Sequence, residues 1–135
     1  MIESIYEKIN IMKLKKVYCS WFPFKGYVAL TLYPWVFIRK DLANKFTTKT
    51  ERHELIHAFQ QVETLWIGFM LLYCIEYIIK LILCSFNHKV AYRSISFEYE
   101  AYVKERYLDY SIKRKKFVWL KYVFKLKEGT ICQKN

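Results

Sequence analysis

Apolar and polar positions change rhythm several times along this chain, and each change predicts a different element. Residues 1–16, "MIESIYEKINIMKLKK", mix the two kinds in a way that suits a short helix. Gly26 to Asp41, "GYVALTLYPWVFIRKD", is dense in Val, Leu, Ile, Thr, Tyr and Phe, with Pro34 in its middle. Proline cannot donate to a strand ladder, so this stretch predicts two short strands or one bent edge strand. The hydroxyls of "TTKT", Thr47 to Thr50, can cap a helix running from Glu51 to Glu63. Leu65 to Phe86, "LWIGFMLLYCIEYIIKLILCSF", is the most apolar part and is long enough to cross a bilayer as a helix. "NHKVAYRS" reads as a break, after which Ser94 or Ser96 caps a helix through "FEYEAYVKERYLDY". The final stretch interleaves aromatics with lysines, "KKFVWLKYVFKLK", and predicts an amphipathic helix. The expected fold is therefore α+β and mostly helical. It has an N-terminal β-hairpin or edge strand, a helix over 51–63, a long apolar helix, a glutamate-bearing helix and a basic C-terminal helix.

A length of 135 residues suits one domain. Only 3 Gly and 2 Pro in a chain that is 54% hydrophobic argue against disorder and long linkers. The net charge of +11 is unevenly placed: residues 111–135 hold eight Lys or Arg against Glu128 alone. That divides the chain into a body over 1–110, which includes the apolar run, and a basic tail over 111–135. Such a tail favours an anionic partner, a lipid surface or nucleic acid. No recognition motif accompanies the charge, so no specific nucleic-acid partner is expected. Cys19, Cys74, Cys84 and Cys132 form no CxxC pair and read as free thiols of a reducing compartment. The first residues carry acids and lack a signal peptide's apolar stretch, so a cytoplasmic location is expected.

The candidate chemistry lies in "ERHELIHAFQQVE", residues 51–63. Residues four apart share a helix face, so His53 and His57 can offer imidazole nitrogens to one cation. Glu54 sits too far round to ligate and is placed to take a proton from an attacking water. Two partly buried histidines on an amphipathic helix would spell the same letters. Against that, Gln60 and Gln61 extend the polar stripe, which is poor material for a core face. Third-ligand candidates are His88, which reads as a surface residue, and Glu98 and Glu100 in "SFEYEAY". Spacing alone does not choose between the two glutamates.

"HELIH" followed by a glutamate-bearing helix resembles the gluzincin clan of zinc metallopeptidases. "FEYEA" is similar to the Phe-Glu-x-x-Ala segment of the membrane CAAX-type prenyl proteases, and that match implies Glu98 as the third ligand. "HELIHAFQQ" resembles small bacterial proteins with the pattern HExxHxxQQ, and most of the chain looks like a group of small uncharacterised bacterial proteins. The resemblance implies Zn2+ held by His53, His57 and Glu98, Glu54 as general base, and a peptide or protein substrate. It also implies a substrate-binding edge strand, for which Val28 to Arg39 is in the right place. In the prenyl proteases an aspartate follows the alanine and holds a ligand histidine; here Tyr102 stands there. Tyr102, Gln60 or a backbone carbonyl would have to hold the histidines instead, with Glu100 as an alternative carboxylate and Gln61 a further candidate. Tyr92, Arg93, Tyr102 and Tyr107 are candidates to stabilise the transition state.

The apolar run and the metal site constrain each other. If residues 65–86 formed one straight span, His57 and Glu98 would emerge roughly 30 Å apart. Metal ligands must sit about 2 Å from one ion. The run is then a buried hairpin partner, or it is re-entrant or interfacial, or the metal reading fails. Glu76 and Lys80 within it weigh against a lipid-facing span. The aromatic content and basic tail favour an anionic membrane surface. The expected function is a membrane-associated zinc metallopeptidase. The alternative is a small membrane-associated binding or structural protein with a non-catalytic metal site.

Overall fold

The computed structural model describes residues 13–126. The helix expected at the N-terminus falls mostly outside this range, as does Cys132. Strand β3, Trp35–Arg39, is the middle of a three-stranded sheet. Its alternation turns Val36 and Ile38 fully inward, as a half-buried strand requires. Strand β2, Ala29–Leu32, pairs antiparallel with it, Leu32 opposite Trp35. Of the two readings of this stretch, the hairpin forms. Pro34 sits in its turn, where no ladder donor is needed. Strand β1, Lys15–Cys19, lies on the far side of β3 and runs parallel to it. Lys15 and Lys16 therefore belong to a strand and not to the end of a helix. Strand β2 is left as an edge.

Helix α1, Thr48–Glu63, starts at the expected hydroxyls: Thr47 caps it, and Thr47 and Thr50 each satisfy the other's backbone N–H. Leu65 and Trp66, at φ 56 and 59, then turn the chain. Helix α2, Ile67–Leu83, leaves α1 at 111°. Ser85 and Phe86, at φ 51 and 62, make a second reversal. The stretch read as a break is instead helix α3, His88–Ser94, capped by the Asn87 side chain on the Val90 N–H. Helix α4, Ser96–Lys104, follows. Neither Ser94 nor Ser96 caps it. Glu76 of α2 does so from a distance, accepting from Ser96 N at 2.8 Å and Ser96 Oγ at 2.6 Å. Its neighbour Lys80 is buried and donates to Ser94 O at 2.8 Å. Both charges of the apolar run thus point into the protein and fasten α2 to the start of α4. The opposite side of α2 is exposed, so the run is not the buried hairpin partner that was one of its readings.

The basic stretch does not form one amphipathic helix. Among the described residues it gives a single turn, α5, Tyr110–Lys113, and a 3₁₀ turn over Val118–Tyr122. Two things interrupt it. Phe117 adopts φ 59, and Arg114 is drawn inward to ion-pair with Glu63 and Glu100. Trp119 then enters the core beside Phe69, Ile95 and Phe97, its ring 4.5 Å from that of Phe97. Arg114→Ala would leave two buried carboxylates without their cation, which costs about 3–5 kcal/mol. Urea unfolding should show a loss of that size. A change within about 0.5 kcal/mol, as for a surface charge, would mean that the stretch after residue 110 is not part of the cooperative core.

Candidate metal centre

His53 and His57 lie one turn apart on α1, and α4 carries Glu98 against them. The two Nε2 atoms face each other at 3.1 Å. Glu98 Oε2 is 3.2 Å from His53 Nε2, and its Oε1 is 3.3 Å from His57 Nε2. All three side chains are buried, and one ligand atom from each lies within 4.8 Å of the others. Ligand atoms about 2.0–2.1 Å from one tetrahedral ion stand about 3.3–3.4 Å apart, so the cluster needs almost no rearrangement to hold one.

The outer nitrogens decide the chemistry of the inner ones. His53 Nδ1 meets Glu105 Oε2 at 2.8 Å, and His57 Nδ1 meets Gln60 Oε1 at 2.9 Å. Gln60 cannot be turned round, because its Nε2 donates to Phe97 O and to Glu100 Oε2, both at 3.0 Å. Each Nδ1 therefore carries a hydrogen towards an acceptor, and each Nε2 aims a lone pair at a common point beside a carboxylate. Such an arrangement calls for positive charge at its centre. Without a metal, protons supply it. Burial pulls His53 down, but Glu105 and Glu98 outweigh it and hold the imidazole up at about 10. His57 is raised for similar reasons, burial opposing and Glu98 prevailing. Burial likewise opposes Glu98, yet His57 and His53 hold it well below the usual carboxylate range.

The residues around the cluster sort the sequence candidates. Glu98 is at the centre, and Tyr73 Oη donates to its Oε1 at 2.9 Å. Glu100 is not a ligand. It accepts from Arg114 and Tyr110 and holds Gln60 in place. His88 is exposed and pairs with Tyr77 Oη at 2.8 Å, apart from the cluster. Gln61 spends its hydrogen bonds away from the histidines: it donates to Thr31 O and accepts from Tyr33 N, both at 2.7 Å, and so ties β2 to α1. Tyr102 packs its ring against His53, centroids 4.5 Å apart, with Arg93 on it at 4.1 Å. The carboxylate partner for His53 is Glu105, which the sequence reading missed. It follows Glu98 by seven residues, two helical turns along the same face, and that spacing was the available signal.

Glu54 is also buried, outside the ligand trio, with Thr31 Oγ1 donating to its Oε2 at 2.6 Å. With His57 it lines a cleft of about 720 Å³. Strand β2 forms one wall, and Phe69, Met70 and Tyr73 of α2 and Tyr92 and Arg93 of α3 form others. Tyr102 reaches the same cleft, whereas Tyr107 is exposed and packs with Lys104 and Arg106. Burial and the nearby Glu98 charge raise the hydroxyls of Tyr73 and Tyr92, and push Tyr102 up to about 12, so all three stay protonated donors at neutral pH. The chain matches no protein-family model, no curated protein and no solved structure.

Two outcomes follow from this geometry. Glu105→Gln should weaken divalent-metal binding by about 10–100-fold, measured by competition with a chelating dye, because His53 loses the carboxylate behind it. The pairs on His53, its pKa raised from 6.5 to about 10, stabilise the metal-free fold fully below 6.5 and lose that contribution as pH rises through 10. A metal must displace that proton at pH 7. Calorimetry in buffers of different ionisation heat should therefore record proton release, with affinity rising about tenfold per pH unit for each proton displaced.

Proposed function

We propose that this protein is a small zinc-dependent metallopeptidase of gluzincin type, working at the cytoplasmic face of a membrane. One observation carries the reading: Glu54, oriented by Thr31, and His57 of the converging His53–His57–Glu98 trio together line a cleft walled by an edge strand. Two imidazoles and one carboxylate leave a fourth tetrahedral position, the pattern of catalytic zinc sites. When bound there, zinc supplies Lewis acidity and lowers the pKa of a water to about 7.

The chain's own groups do the rest. Glu54 accepts the proton of the attacking water and passes it to the leaving amine, its Oε2 steadied by the Thr31 hydroxyl. The register of β2 on β3 turns the N–H and C=O of Ala29 and the N–H of Thr31 away from the sheet and along the cleft wall, while Gln61 holds Thr31 O. An extended peptide can add there as a further strand. Tyr92, Arg93 and Tyr102 line the cleft as donors towards the oxyanion that develops on the scissile carbonyl. The second reading, a membrane-associated binding or structural protein with a non-catalytic metal site, uses the same donor set and draws on the exposed apolar side of α2.

Glu54→Gln separates the two. Elemental analysis should find about one zinc per chain in both proteins. Hydrolysis of a peptide library should fall about 10²–10⁴-fold in the variant. A fully zinc-loaded wild type that cleaves no peptide would leave only the binding or structural reading.

A further inference from the structure

Helix α2 has two unlike sides. Phe69, Tyr73, Glu76, Tyr77 and Lys80 face the protein within an arc of about 100°. The other side carries Ile67, Leu71, Ile75, Ile78 and Ile82, each more than half exposed. With Met70, Leu72, Cys74, Ile79 and Leu83 these positions cover about 220° of the helix. No charge interrupts them, because the charged residues of α2, Glu76 and Lys80, are both turned inward. Soluble monomers rarely expose a continuous apolar surface of this extent.

We propose that this side of α2 is immersed in an anionic lipid bilayer, with the helix lying in the plane of the membrane as an anchor. The width of the arc favours lipid. A partner helix covers one stripe of about 100°, whereas acyl chains enclose whatever arc is offered. Charge favours it as well. Two copies at +11 each repel one another, while anionic headgroups attract both. The neighbouring chain has the matching pattern. Lys80 Nζ holds Lys125 O at 2.5 Å, which lays the segment after Trp119 alongside α2. That segment exposes Leu120 and Phe124, the latter 98% exposed, interleaved with Lys121 and Lys125. Rings and aliphatics enter the acyl boundary while ammonium groups reach the phosphates. At the other end of α2, Trp66 and Leu65 share an apolar surface with Trp35 of the hairpin, and Trp is enriched at headgroup depth. The in-plane pose follows from length and from the 111° bend between α1 and α2, a pair that passes for a span only when taken together. No single helix among the described residues is long and apolar enough to cross a membrane, and α2 extends about 25 Å against a hydrocarbon core of about 30 Å. Phe69, Met70 and Tyr73 of the same helix line the cleft, so docking sets the cleft beside the headgroups.

The test uses the full chain and vesicles of phosphatidylcholine with about 30% phosphatidylglycerol. Wild type should co-float with them and bind pure phosphatidylcholine more weakly. Ile75→Gln with Ile78→Gln, which changes no charge and touches only exposed positions, should weaken binding more than about tenfold while metal content stays the same. A fluorophore on exposed Cys74, with Cys19→Ser and Cys132→Ser, should be quenched by brominated acyl chains in those vesicles. If the label is shielded without lipid, whether in a dimer or by another part of the chain, and the protein does not float, the proposal is overturned. Equal flotation of the double variant overturns it too. Neither readout involves hydrolysis, so the result stands apart from the peptidase reading.

Discussion

Two imidazole nitrogens aim lone pairs at one another across 3.1 Å, with a carboxylate beside them and all three side chains buried. Left alone, that arrangement would push α1 and α4 apart. Positive charge between the donors, from protons or from a divalent ion, would hold it together. Much of the surrounding structure keeps those lone pairs pointed inward. Glu105 and Gln60 take the outer nitrogens, Glu100 orients Gln60, and Arg114 balances Glu100 and Glu63. The chain of contacts thus runs from the His53–His57–Glu98 cluster to Arg114 at the start of the basic segment.

A second set of contacts joins the site to the sheet. Thr31 donates to Glu54, and Gln61 grips the backbone of β2 on both sides of Leu32. The edge strand and the Glu54 carboxylate are therefore held in one frame. Any change that slides β2 along β3 also moves Glu54 relative to the histidines. This coupling gives a physical reason for the polar stripe His-His-Gln-Gln on an otherwise apolar chain: each member has a buried partner, and an unpaired one would be costly.

The apolar run and the metal cluster, which exclude each other in a straight span, coexist because the chain reverses twice. The turns at Leu65–Trp66 and Ser85–Phe86 send α2 outward, bring α3 back along it and return α4 to α1. Glu76 and Lys80 lock the return by gripping the α3–α4 junction. The same two residues that argue against a lipid-facing span leave the outer side of α2 free of charge. A helix can thus carry an ion pair in its sequence and still present an uninterrupted apolar surface.

The sequence by itself determined what depends on local spacing. The i, i+4 histidines, a hydroxyl cap within Thr47 to Thr50, a strand region interrupted at Pro34 and the mostly helical α+β class are all short-range consequences of side-chain chemistry. It left Glu98 and Glu100 undecided on geometry, since one helix offers both and only the face of α1 opposite tells them apart. Tertiary structure decided that choice, and it also decided Glu105 as the partner of His53 and the parallel strand β1. The inward turn of Arg114 and Trp119 came from the same level. Each of these rests on contacts between residues far apart in the chain, whose energy comes from burial and charge pairing after the helices pack. Within a single segment, only the seven-residue spacing of Glu98 and Glu105 gives a trace of it.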